Sequence, residues 1–73
     1  KLDELILNNT VDMAHGEVIS FRTLIGAELC AQLMDLEKEF LFRRSIRAMI
    51  RAEEIDLEFA GKDQDGEDLY RVT

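Results

Sequence analysis

The apolar residues change their spacing near residue 55, and this change constrains the fold more than any other feature of the chain. Before it, apolar residues recur at helical spacing from about residue 35 to residue 54. After it, apolar and acidic residues alternate from 55 to 59, which is the two-residue period of a strand. Asp65-Gly66 favours a turn, and "LYRVT" is rich in residues that favour strands. Residues 55–73 are therefore predicted to form a β-hairpin that follows a long helix.

The first part of the chain predicts a short helix and a loop. Leu2, Leu5 and Ile6 have the i, i+3, i+4 spacing of one helix face, so residues 1–8 are predicted to be helical. Residues 10–16, which end in a glycine, are predicted to form a loop.

A brief strand and a second helix are predicted next. The run "EVIS" contains two β-branched residues, and Ser20 is a good N-cap for a helix that begins at Phe21 and extends to about residue 33. Gly26 lies inside this predicted helix, where glycine costs about 1 kcal/mol relative to alanine. It marks either a close contact or an early end of the helix.

The third predicted helix begins after Asp35, which suits an N-cap position, and ends near Glu53 or Glu54. At 100° per residue its apolar side chains cover a broad arc. They are Leu41, Phe42, Ile46, Ala48, Met49, Ile50 and Ala52. The opposite, narrow arc carries Phe40, Arg43, Arg44, Arg47 and Arg51. We name these four arginines the arginine row and expect them to point the same way.

The length and the cysteine content limit the class of protein. A chain of 73 residues predicts one domain, residues 1–73. No apolar run approaches the roughly 18 residues that a membrane span requires, so no membrane partner is expected. The single cysteine, Cys30, excludes an internal disulfide and favours a reducing, cytoplasmic location.

The charge is distributed unevenly. The net charge of −7 argues against general affinity for nucleic acids. Residues 38–51 nevertheless carry +4, so the rest of the chain carries −11. Residues 53–73 alone carry −6. We therefore expect a positive stripe on a negative body.

The predicted order of elements resembles the winged helix-turn-helix family of DNA-binding domains over nearly the whole chain. The residues that carry the resemblance are "EVISFRTLIGAEL", "RRSIRAMIRAEEIDLEF" and "DGEDLYRVT". The resemblance implies an α+β fold, mainly α. Three helices would be accompanied by a short strand after the first helix and by a C-terminal β-hairpin, the wing.

The resemblance also implies a function. Members of the family regulate transcription, and here the third helix would enter the major groove of double-stranded DNA. Small regulators with this fold often pair, so the resemblance implies a homodimer as well.

Seven residues are the candidates for nucleic-acid binding: Arg22, Lys38, Phe40, Arg43, Arg44, Arg47 and Arg51. The arginine fork suits phosphate because it donates two parallel hydrogen bonds. Under the resemblance, Arg22 contacts the DNA backbone. The residues that reach phosphates or guanine edges are then Lys38, Arg43, Arg44 and Arg47. Phe40 packs on a sugar, on a thymine methyl group or in a partner's apolar pocket.

Two other interpretations of the arginine row stay open. The row is a solvated helix face, with ion pairs Glu39–Arg43 and Arg51–Glu54 at helical spacing. Alternatively, the acidic C-terminal residues fold over the row and neutralise it.

A protein-interaction function also stays open. In this hypothesis the domain binds a partner protein through Phe40 and the arginine row, or through the acidic hairpin. A variant of this hypothesis has the acidic residues mimic DNA and inhibit a nucleic-acid enzyme.

Catalytic and metal-binding patterns are scarce. His15 lies in a predicted loop, and Cys30 is best explained as a small core residue. One cysteine and one histidine fall short of the four ligands of a structural zinc site. "DQDG" has the glycine of a calcium loop but lacks the end ligands in register. We expect neither an enzyme nor a cofactor.

Overall fold

Four helices and one short strand precede a β-hairpin in the chain. The computed structural model describes residues 1–73. Its elements are α1 (Leu2–Thr10), β1 (Val18–Ser20), α2 (Phe21–Ile25), α3 (Ala27–Asp35), α4 (Glu39–Arg51), β2 (Leu57–Lys62) and β3 (Asp68–Val72). About half of the residues are helical, and the three strands form one antiparallel sheet. The predicted α+β class is confirmed.

The predicted second helix is two helices, because the chain breaks at Gly26. The side-chain oxygen of Ser20 accepts a hydrogen bond from the Thr23 N–H at 3.1 Å, so the predicted N-cap is confirmed. Gly26 has φ +94° and ψ 143°, a conformation that essentially only glycine adopts. The prediction of one continuous helix is therefore wrong, and the fold contains four helices instead of three.

The turn between α3 and α4 is a Schellman motif with a glutamate in the left-handed position. Glu37 has φ +54°. The Lys38 N–H donates to the Leu33 carbonyl at 2.9 Å, and the Glu37 N–H donates to the Met34 carbonyl at 3.1 Å. Asp35 is thus the last residue of α3. Its predicted role as the N-cap of the following helix is wrong, because α4 begins only after this turn.

The sheet has the order β1-β3-β2, with β3 in the centre. Ile19, Phe59 and Tyr70 lie side by side across the three strands. A bulge interrupts the β2–β3 pairing between Phe59 and Gly61. The predicted short strand and the predicted hairpin are both present. Residues 63–67 connect the two hairpin strands.

The helices and the inner face of the sheet enclose a small apolar core. Eleven buried hydrophobic residues form it: Ile6, Ile19, Phe21, Leu24, Ile25, Cys30, Leu33, Ile46, Leu57, Tyr70 and Val72. Cys30 is a core residue, as predicted. None of the four helices combines the length and the apolar character that a membrane crossing requires.

Candidate nucleic-acid interface

Helix α4 is anchored by one fully buried residue and leaves a polar face in solvent. Ile46 has an exposed fraction of 0%. Phe42, Met49 and Ile50 pack against the same core. Leu41, Ala48 and Ala52 were predicted to belong to the buried arc, but they are exposed. The predicted arc was too broad because a helix that packs on one side buries only a stripe.

Two members of the arginine row, Arg43 and Arg47, contact aromatic rings of the fold. Arg43 is half-buried, and its guanidinium carbon lies 5.0 Å from the centroid of the Phe21 ring. The guanidinium carbon of Arg47 lies 4.2 Å from the centroid of the Phe59 ring. Both distances are within the range of a cation–π interaction. The prediction that all four guanidinium groups point outward is therefore wrong for Arg43, whereas Arg47 contacts the Phe59 ring but stays exposed on the same face as Arg44 and Arg51.

Asp68 connects α4 to the hairpin. Its side chain is only 2% exposed, and it forms ion pairs with the Lys62 ammonium group and with Nη2 of Arg47, the latter at 3.7 Å. The Tyr70 hydroxyl group donates to Oδ2 of Asp68 at 3.5 Å. The expectation that acidic C-terminal residues neutralise the row thus holds for one arginine, Arg47.

The rings of Phe59 and Tyr70 extend this cluster into the sheet. Their centroids are 6.1 Å apart, with an interplanar angle of 72°, which is the edge-to-face arrangement that aromatic pairs prefer. Burial and the neighbouring Asp68 carboxylate raise the pKa of the Tyr70 hydroxyl well above its ordinary value. Tyr70 is therefore an uncharged hydrogen-bond donor over the whole physiological pH range.

Arg44, Arg51 and Lys38 are exposed and have no carboxylate within 4.0 Å. The two predicted surface pairs, Glu39–Arg43 and Arg51–Glu54, are not formed in the structure. A shallow depression of about 530 Å³ lies along this face of α4. It is lined by Leu41, Arg44, Ser45, Arg47, Ala48 and Arg51. We name this surface the α4 face.

Phe40 and Arg22 do not line the depression of the α4 face. Phe40 is 53% exposed, and three other apolar side chains around the α3–α4 turn are also exposed: Met34, Leu36 and Leu41. Arg22 is exposed, and its guanidinium group has no carboxylate within 4.0 Å. Its backbone N–H donates to the Glu67 carboxylate at 3.0 Å, so the hairpin turn contacts the start of α2.

Most acidic side chains of the hairpin turn are used within the fold. Oδ1 of Asp63 accepts hydrogen bonds from the N–H groups of Asp65 and Glu67, both at 2.9 Å. The Glu67 carboxylate accepts a hydrogen bond from a backbone N–H at the start of α2, and Asp68 is buried. Among these four acids only Asp65 has a free carboxylate. The hairpin turn therefore presents few unpaired carboxylates to solvent.

The remaining chemically reactive side chains are not brought together. His15 is exposed, with its Nδ1 2.9 Å from the Thr73 carbonyl oxygen, and Cys30 is buried. No group of three or more histidine, cysteine or acidic side chains has an arrangement that would hold a metal ion.

The sequence pattern signals only part of this region. The alternation from 55 to 59 predicts that Phe59 lies in a strand, but it does not predict the contact of Phe59 with Arg47. Asp68, Tyr70 and Val72 have the i, i+2, i+4 spacing of one strand face, so the alternation alone signals that Asp68 points inward. A charged residue on a buried face predicts a cationic partner. Its identity as Arg47 and Lys62 depends on the packing of α4.

Comparisons with protein-family models, with curated proteins and with solved structures gave no significant match.

Proposed function

We propose that this domain is a winged-helix regulatory protein that binds double-stranded DNA through the α4 face. The short strand after the first helix and the C-terminal hairpin support this proposal, because the resemblance implies both elements. The observation that carries it is the presence of two exposed arginines without acidic partners, Arg44 and Arg51, along one depression of α4.

The spacing of these arginines suits a duplex. Arg44 and Arg51 are seven residues apart, which is about 10.5 Å along a helix axis. The major groove admits an α-helix, so two arginines two turns apart on one side of α4 can both reach toward the phosphates that flank the groove. Ser45 and Ala48 lie between them and are small, which allows the helix backbone to approach base edges closely.

The charge of the whole chain predicts modest affinity. At physiological salt the screening length is about 8 Å, so the α4 face attracts phosphates locally although the chain carries −7. The acidic body still weakens long-range attraction. The homodimer that the resemblance implies stays a prediction. It would place two α4 faces on one duplex and raise the affinity without a new type of contact.

The proposal is tested with Arg44→Ala and Arg51→Ala, measured by fluorescence anisotropy of a random-sequence duplex at several salt concentrations. Each substitution should weaken binding several-fold and reduce the slope of log K against log salt by about 1, because one phosphate contact is lost. The matched control is Arg71→Ala. Arg71 pairs with Glu58 at 2.7 Å on the outer face of the sheet and carries the same charge.

Two outcomes would contradict DNA binding by the α4 face. The unmodified protein fails to bind any duplex at low salt, or Arg71→Ala weakens binding as much as the two α4 substitutions. The second result would mean that only the net charge matters.

A protein-interaction function is the second candidate, because Met34, Leu36 and Phe40 expose more than half of their side-chain surface around one turn. Exposed apolar side chains that lie close together in the chain are typical of protein-binding surfaces. The same titrations distinguish the two candidates, since a domain that binds only a partner protein should show no duplex binding at any salt concentration.

A further inference from the structure

A groove separate from the α4 face lies between α1, the loop that follows it, and the ends of β2 and β3. Its volume is about 480 Å³, and half of its 14 lining residues are hydrophobic. Leu7 and Val11 are exposed by 61% and 67%, and they lie one helical turn apart along its edge. Met13 and Ile55 pack against the core beneath them. The groove therefore offers apolar surface that the fold itself leaves uncovered.

The charged residues around this groove all have the same sign. Asp3, Glu4, Glu54 and Asp56 line it; His15 is the one other titratable side chain in its lining, and no lysine or arginine lines it. Glu4 contacts only the Lys1 amino group, at 3.5 Å and in solvent. The carboxylates of the other three make no ion pair and no hydrogen bond within the chain. We name the apolar floor and these four acids the acidic groove.

We propose that the acidic groove binds a cationic amphipathic helix of a partner protein, one that carries lysine or arginine beside a row of apolar residues. The apolar side chains of such a helix cover Leu7 and Val11, while its cations meet the carboxylates at the rim. The mixed character of the groove requires both features, because apolar contact alone leaves the carboxylates unpaired and charge alone leaves the floor exposed.

The charge also argues against other occupants. A second copy of this chain, placed symmetrically, would bring two sets of carboxylates together, and like charges in an interface are costly. Nucleic acids and anionic lipid surfaces are repelled for the same reason. The surface thus differs from the α4 face in the sign of the partner it attracts, and this inference does not depend on DNA binding.

The test uses a synthetic leucine–lysine peptide of about four helical turns and the complete 73-residue chain. In nitrogen–proton correlation spectra, saturable shifts are expected at Leu7, Val11 and Ile55 and not along α4. The triple variant Asp3→Asn/Glu54→Gln/Asp56→Asn should weaken binding by roughly tenfold, from the loss of three partly exposed ion pairs. Leu7→Gln should weaken binding several-fold without any change of charge.

The matched control is Glu28→Gln/Asp35→Asn/Asp65→Asn, which removes three exposed carboxylates outside the groove. This control should bind the peptide like the unmodified chain. The proposal is overturned if the control is weakened as much as the groove variant, if no saturable binding occurs, or if the same resonances shift with protein concentration alone. The last result would identify the groove as an interface between copies of this chain.

Discussion

At the scale of single residues, Tyr70 is the most direct reporter on the interior. It is the only tyrosine, and the chain contains no tryptophan. Its side chain is fully buried in the centre of the sheet, against Phe59 and beside Asp68. Its ionisation therefore reports on the cluster that joins the hairpin to α4.

We predict that Tyr70 ionises only at a pH well above the ordinary tyrosine pKa of about 10. Burial and the Asp68 carboxylate raise the pKa in the folded state, so the folded chain keeps a proton that the unfolded chain releases. The resulting stabilisation is complete below about pH 10 and is lost as the pH rises beyond it. Tyrosinate absorbance should accordingly develop together with the loss of the circular-dichroism signal.

Two controls belong to this titration. In concentrated urea the tyrosine should ionise near its ordinary pKa. Tyr70→Phe should show a weaker decline of stability between pH 10 and the onset of unfolding. Tyrosinate that forms near pH 10 in a chain that keeps its circular-dichroism signal would show that the side chain is not sequestered.

Single residues also show where sequence reasoning ends. The burial of Cys30, the loop position of His15 and the cap formed by Ser20 follow from local pattern and residue chemistry. The packing of Arg43 and Arg47 against aromatic rings does not. It depends on Phe21 and Phe59, which come from distant segments, and on side-chain directions that a helical wheel does not specify.

At the scale of elements, the break at Gly26 decides how α2 and α3 are arranged. Replacement of a glycine by alanine should have opposite effects on stability inside a continuous helix and at a helix break. In a continuous helix the change would stabilise the fold by about 1 kcal/mol. At φ +94° and ψ 143° an alanine is strained, although no atom lies within 4 Å of the position its Cβ would take.

We therefore predict that Gly26→Ala destabilises the fold by about 1–3 kcal/mol, through backbone strain alone. Urea denaturation followed by circular dichroism measures the change. Ala31→Gly, at an exposed position in the middle of α3, is the control and should cost about 1 kcal/mol. A stabilised Gly26→Ala protein would mean that α2 and α3 are one helix in solution.

Most elements were predictable because their signals are local. The first helix, the short strand, the long helix and the hairpin were placed within a few residues of the observed α1, β1, α4, β2 and β3. The α3–α4 turn was misplaced because Glu37 takes a left-handed conformation that usually belongs to glycine or asparagine. The sequence carries no glycine there to signal the end of α3.

At the scale of the whole molecule, the charge distribution separates three surfaces. The α4 face is cationic, the acidic groove is anionic, and the outer face of the sheet pairs Arg71 with Glu58. The net charge of −7 means that repulsion among carboxylates outweighs the few ion pairs. All four cationic groups in those pairs are at least 45% exposed, and exposed ion pairs contribute little to stability.

We predict that sodium chloride stabilises the domain. The midpoint of urea denaturation should rise between about 0.02 and 0.5 M salt, because screening weakens repulsion between acids more than it weakens exposed ion pairs. The control variant without Glu28, Asp35 and Asp65 carboxylates should show a smaller rise. A midpoint that falls with salt would indicate that the ion pairs around Asp68 dominate instead.

The Asp68 carboxylate already pairs with Arg47 before any anionic ligand binds. A phosphate that meets this guanidinium group must displace an anion already in place, so the net gain there is small. At Arg44 and Arg51 the incoming group displaces only water, and the gain is larger. The affinity of α4 for a polyanion is therefore best increased by changing the hairpin, at the residue that pairs with Arg47, and not by changing the helix.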